Sequence, residues 1–235
     1  EPFTFGPVVF CVWKSYASVM STSAPKLPSS LSDVALAYLK AYEARFDPIA
    51  RADEEKLRAT LAKLKIEPWA ALFEIERDFG GLCFADWILG PYAMVKKSPK
   101  LKKTRAEPVP LVCVGGNDTG RLLADESGQI WDEDAAAGSV RLRADSMERR
   151  LEREAYGAHI GVLGQHSYKI LPSKVSAADG AKKLGLPLIE KPSDKNESVW
   201  QSDALTVWKS TDDVRVFAKT DAALEQAVAV VGSAR

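Results

Sequence analysis

The first third of the chain carries a helical hydrophobic pattern. Leu31, Val34, Ala35, Tyr38, Leu39, Tyr42 and Phe46 recur every three or four positions, the spacing that lines one face of an α-helix. Ser30, with Asp33 three residues on, predicts an N-cap in a capping-box variant. Asp47–Pro48 ends that helix and offers the next one an N-cap with proline at its first position. Leu57, Leu61 and Leu64 continue the pattern there on a highly charged helix. Pro68 opens a third helix, with Trp69, Leu72, Phe73, Glu76 and Phe79 on one side. It stops at Gly80–Gly81, where glycine accepts the left-handed C-cap conformation.

After a basic, proline-containing stretch the period changes to two. Residues 111–113, 121–124, 129–132 and 140–143 read as four strands joined by glycine-containing turns. Asp145 then caps a helix, MERRLEREAY, that runs to Gly157. In the last third, HIGVLGQHSYKIL reads as strand, Ser176 to Leu184 as a short helix, and DKNESVWQSDALTVW as loop into strand. TDDVRVFAKT reads as a strand and DAALEQAVAVVG as a final helix with a glycine stop. The expected class is α+β: N-terminal helices followed by a mainly antiparallel sheet, with a C-terminal αβ extension. Most helical residues are expected in the first half. The expected division is a flexible leader over 1–26, one α+β domain over 27–157, and an αβ extension over 158–235 that packs on the same sheet or forms a small lobe. In the leader, VVFCVW is far too short for a bilayer, which needs about 20 residues. Met20 precedes the polar run STSAPKLPSS. Met20 is therefore read as the start and residues 1–19 as an over-extended frame, with an N-terminal strand as the alternative.

Composition narrows the class. A chain of 235 residues that is 46% hydrophobic buries a sizeable core. Lys plus Arg and Asp plus Glu balance at 32 each, so no global field draws it to nucleic acid or a membrane. Cys11, Cys83 and Cys113 are odd in number and set among apolar neighbours, as reduced thiols in a cytoplasmic protein are. With no CxxC and only His159 and His166 as histidines, a metal site is not expected, nor is a cofactor.

Candidate chemistry is sparse. VGGNDTG leads into a strand, whereas a phosphate cradle leads into a helix N-terminus, so it reads as a turn. Glu74 and Glu76 lie two apart on a helix and do not face each other. His159 and His166, seven apart on the expected strand, point to opposite faces. The lysine-rich stretch KKSPKLKKTR lacks the interleaved aromatics and basic domain of a nucleic-acid binder. An enzyme would need several of Glu74, Glu76, Asp118 and Asp125 to converge in a deep pocket.

Residues Trp69–Gly81 (WAALFEIERDFGG), VPLVCVGGNDTGRLLADESGQIWDED and the helix SMERRLEREAY resemble the SUKH superfamily, which includes cell-wall-regulator-like proteins and many bacterial immunity proteins. The likeness covers roughly residues 27 to 157; Leu27–Pro28 stands farther from Gly80–Gly81 than the family's Leu-Pro opening does. It implies a non-enzymatic, cytoplasmic protein that binds a toxin encoded beside it. The candidate partner-binding residues are Asp125, Glu126, Trp131, Asp132, Glu133 and Asp134, an aromatic anchor among acids. The competing expectations are a regulatory or structural adaptor in a cytoplasmic complex, and a hydrolase using dispersed carboxylates.

Overall fold

The computed structural model describes residues 27–97, 102–103, 109–117, 119–134 and 139–234. The leader, Cys11, Asp118 and most of the lysine-rich stretch fall outside them. Among the described residues the elements run α1 (Asp33–Ala41), β1 (Arg45–Phe46), a 3-10 turn (Pro48–Ala50), α2 (Glu54–Lys63), α3 (Ala70–Phe79), β2 (Leu82–Phe84), β3 (Trp87–Leu89), α4 (Pro91–Lys97) and β4 (Lys102–Lys103). They continue with β5 (Pro110–Gly116), β6 (Gly120–Ala124), β7 (Ile130–Asp134), β8 (Ser139–Ala144), α5 (Met147–Val162), β9 (Ser167–Pro172) and α6 (Ala177–Lys183). The last are β10 (Leu188–Ile189), β11 (Ser198–Gln201), β12 (Leu205–Lys209), β13 (Asp213–Ala218) and α7 (Asp221–Gly232). The class is α+β. Among the described residues, helical positions are shared about evenly between the two halves, not concentrated in the first, because α5 is the longest described helix and α7 is also long.

Two antiparallel sheets organise the chain. The larger has the order β1-β2-β3-β5-β6-β7-β8, with β4 added to β5. Its centre is the meander read from the sequence: Ala124 pairs with Ile130, Leu123 with Trp131 and Leu122 with Asp132. Period-two alternation sends Val112, Val114, Leu122, Ala124 and Ile130 into the main core with Leu39, Leu61, Leu72 and Leu151 from the helices. Leu111, Cys113 and Leu123 point the other way and, with Met94, form a smaller cluster. The second sheet, β10-β11-β12-β13-β9, has its own core against α6 and α7, built on Val207, Val214, Val216, Ala181 and Val231.

Helix starts and stops follow local chemistry, with shifts from the expected positions. The cap of α1 is Ser32, whose hydroxyl accepts from the Ala35 amide at 3.1 Å. Ser30 instead donates to Glu148 at 2.8 Å. Likewise Ser146, not Asp145, caps α5 through the Arg149 amide, while the Asp145 carboxylate accepts from Asn196 at 3.0 Å. Asp47 caps only the 3-10 turn, and Asp53 caps α2. Gly81 is the left-handed residue after α3, at φ 75°. Gly80 is required for a different reason: a Cβ there would lie 2.5 Å from the Glu76 carboxylate.

The segment 158–162, expected as strand, is helical. Met147, Leu151 and Ala155 keep a four-residue period on α5 and Ile160 is buried further along. The stop is Gly164, at φ 72°, rather than Gly157. Gly157 lies inside the helix, where a Cβ would meet the Trp208 ring at 3.9 Å. That contact is one of several that join α5 to the second sheet.

The polar part of this junction is buried. Asp194 accepts from the amides of Asp145 (2.9 Å), Asn196 (2.7 Å) and Glu197 (3.1 Å) and is ion-paired with Arg153. Burial by itself raises the Asp194 pKa, but these amides and the Arg153 charge outweigh it, and the carboxyl sits below its ordinary value. A depressed native pKa adds stability above the unfolded-state value, near ~4 for aspartate, and that stability is lost as pH falls through the native value. The thermal midpoint is therefore expected to drop as pH is lowered below about 4, and Asp194→Asn to show a lower midpoint at neutral pH with a shallower acid slope. Scanning calorimetry across pH checks this; parallel pH curves for the two proteins would refute it.

Candidate functional site

The acidic hairpin residues have separate placements. Asp125 is buried at the β6–β7 turn. One carboxylate oxygen accepts from the Ser127 amide (3.0 Å), the Ser127 hydroxyl (2.7 Å) and the Gln129 amide (3.0 Å). The other accepts from the Trp131 indole N–H at 3.0 Å. A short acidic side chain is suited to this role because it reaches backbone amides two to four residues ahead. Gly128, at φ 84°, completes the turn. Asp125 is thus the internal organiser of the hairpin, and Glu126, at its tip, is exposed.

Beyond the turn, strand alternation splits the cluster. Trp131 is half-buried and packs on the small Met94–Leu111–Cys113–Leu123 cluster. Glu133 points to the same side, 3.7 Å from Arg121. Asp132 points to the opposite side, toward α5. Asp134 pairs with Gly120 and Ser139 through its backbone; its side chain lies outside the described residues. Trp131 and Asp132 are adjacent in sequence but do not form one surface.

Asp132 belongs to a different assembly. Its carboxylate lies 3.2 Å from Arg150 and 3.5 Å from Arg143. Arg150 also pairs with Glu154 one turn along α5. Burial alone would lower the Arg150 pKa, but Asp132 and Glu154 outweigh it, and the guanidinium is held above its ordinary value. Arg150, Leu151 and Glu154 line a small open groove with Phe84, Trp87 and Leu122. Trp87 is half-buried. Nearby, the Tyr38 hydroxyl is raised above its ordinary pKa, by burial first and by the Glu154 charge second. The sequence reading did not single out Trp87, Arg150 or Glu154. The available signals were the i,i+4 pair Arg150/Glu154 and a tryptophan in the short β2–β3 hairpin.

The carboxylates considered for catalysis stand apart. Glu76 is buried and its two oxygens accept from the Ala52 and Tyr92 amides, each at 2.9 Å. Burial, partly offset by those amides, raises its pKa. Glu74, two positions earlier on α3, is exposed. Asp125 serves the hairpin on separate partners. The histidines are not on one strand: His159 is in the last turn of α5, with its ring 6.1 Å from Tyr156, and His166 is exposed before β9. In VGGNDTG, Val114–Gly116 end β5 and Gly120 opens β6; between them the Asn117 side chain accepts from the amides of Thr119 (3.0 Å) and Gly120 (2.7 Å). Among the described residues no cluster of three His, Cys, Asp or Glu is placed to hold a metal, and no helix is long and apolar enough to cross a membrane.

Compared with protein-family models, curated proteins and solved structures, the chain matches none. What it is placed in by its own architecture is the α+β class.

Asp125→Ala is expected to destabilise the protein by about 1–3 kcal/mol, since buried donors lose their acceptor. It should also red-shift the emission of the released Trp131. Urea unfolding followed by fluorescence measures both; an unchanged midpoint would show that the hairpin does not depend on this carboxylate.

Proposed function

We propose that the chain is a non-enzymatic protein-binding module of the immunity type, which neutralises a toxin encoded beside it. The reading rests on the SUKH-like residues described above and on one structural observation. At the groove, Trp87 and Arg150 are partly exposed side by side, and Arg150 is pre-set between Asp132 and Glu154. Tryptophan and arginine are the residue types most enriched among interface hot spots. An arginine already fixed by two carboxylates loses less side-chain freedom on docking than a free one. The partner face takes in this groove and Asp132 beside it, with Glu126 at the exposed tip of the β6–β7 hairpin; Trp131 and Glu133 lie on the other side of the sheet.

The residues of this face act differently. Asp132 is shared by two arginines, so its main effect is to position Arg150. Glu126 is exposed at the hairpin tip and contributes to long-range attraction of a basic partner. Asp125 supports the face by holding the turn.

The test is co-expression with the product of the adjacent toxin gene, read by growth rescue and by complex formation between purified proteins. Trp87→Ala and Arg150→Ala, with circular dichroism unchanged, are expected to weaken the complex by about 2 kcal/mol or more, mainly through faster dissociation. Glu126→Ala is expected to slow association and reduce its salt dependence. Full binding by both groove variants would move the interface elsewhere. A chain with no adjacent toxin gene and no toxin complex would be better read as an adaptor.

A further inference from the structure

The second sheet ends on β9, and among the described residues no strand pairs with its outer edge. Its partner on the inner side is β13, in the register Tyr168↔Phe217 and Ile170↔Arg215. Tyr168 and Ile170 point away from the α6–α7 core and are 59% and 54% exposed. The Tyr168 ring stacks on Phe217 at 5.8 Å and 26°, so the apolar surface continues onto β13. An edge with an apolar face and free backbone groups is a template for an added strand.

The surrounding charges state which strand it accepts. Lys169 lies in the middle of β9 and projects to the other face by alternation; Lys174 follows the strand and Lys219 follows β13. All three are exposed and form no ion pair among the described residues. Two of the nearby carboxylates are already engaged: Asp213 pairs with Arg215 at 3.1 Å, and Asp221 accepts from Ser167 at 2.5 Å. A second copy of this chain would bring two sets of unpaired lysines to one seam, which like-charge repulsion disfavours.

We propose that β9 is a second docking edge, which takes an extended, acidic peptide strand with apolar residues at alternate positions. The added strand's apolar side chains cover Tyr168 and Ile170 on the outer face. Its carboxylates meet Lys169 on the other face and Lys174 and Lys219 at the ends, and its backbone continues the sheet. This surface is separate from the groove beside Trp87 and does not depend on the immunity reading.

The probe is a soluble extended peptide of alternating glutamate and valine, compared with one of alternating lysine and valine. Binding to the full chain is read by fluorescence anisotropy and by amide shifts in nuclear magnetic resonance. The acidic peptide is expected to bind at least about tenfold more tightly than the basic one, with shifts confined to β9 and β13. N-methylation of alternate peptide amides is expected to abolish binding, Ile170→Lys to weaken it, and Lys169→Glu to reverse the charge preference. Equal or absent binding of the two peptides, shifts centred elsewhere, or dimerisation of the unmodified chain through β9 in sedimentation would overturn the proposal.

Discussion

The arrangement of the two sheets depends on one buried guanidinium. Arg153 projects from α5 and is only 5% exposed. Its Nε donates to the Pro192 carbonyl at 2.8 Å, and the group is ion-paired with Asp194 and lies 3.7 Å from Glu197. It also donates to the Arg143 carbonyl on β8. Removing a charge from water is costly unless pairing and hydrogen bonds offset it. That requirement fixes the 190–197 segment against α5, and with it the start of β11. From there the constraint passes outward. Glu197 accepts from the Trp208 indole at 2.8 Å and lies 3.9 Å from Arg143, and Arg143 reaches Asp132, which holds Arg150 at the groove. The second sheet thus helps to set the rim of the candidate binding face on the first.

Carboxylates elsewhere in the fold play a related structural part. Glu152 is completely buried and accepts from the Ser32 amide at 2.7 Å and the Ser32 hydroxyl at 2.6 Å, fixing the start of α1 to α5. Glu76 joins α3 to the segment before α2 and to the start of α4. Asp125 closes the hairpin. Each uses its oxygens on amides that a helix start or a turn leaves without partners. Such residues look like candidate catalytic acids in a sequence, yet their surroundings in the fold are backbone rather than an open cleft.

Much of the fold was legible because hydrophobic periodicity is a direct consequence of burial. Leu122 and Ala124 alternating with Leu123, and Leu57 with Leu61 four apart, specify strand and helix without tertiary information. The caps of α1 and α5 were placed within one or two residues, since several serines and aspartates compete for the same amides and the fold decides between Ser30 and Ser32, or Asp145 and Ser146; the cap of α2 fell six residues on, at Asp53, because Asp47–Pro48 starts a separate 3-10 turn. The helical extension through 158–162 was hidden by Gly157, which read as the stop, and by the apolar HIGVL after it, which read as strand; the Trp208 ring lies at ordinary contact distance from Gly157 and does not end the helix. The candidate site was least legible. The Trp131–Asp134 run suggested one patch, but strand alternation sends neighbours to opposite faces. The groove instead gathers Trp87, Leu122, Arg150 and Glu154 from three distant segments, and no local pattern encodes that meeting.

The Arg153 clamp joins the two sheets into one cooperative unit and holds the candidate binding face in shape. Differential scanning calorimetry of Arg153→Met measures it most directly. Removing the cation leaves Asp194 and Glu197 buried without their partner, a loss of about 3–5 kcal/mol. The expected result is one transition for the unmutated chain, and for the variant a lower midpoint with two transitions, the second sheet unfolding first. A single transition at the unmutated midpoint would contradict it.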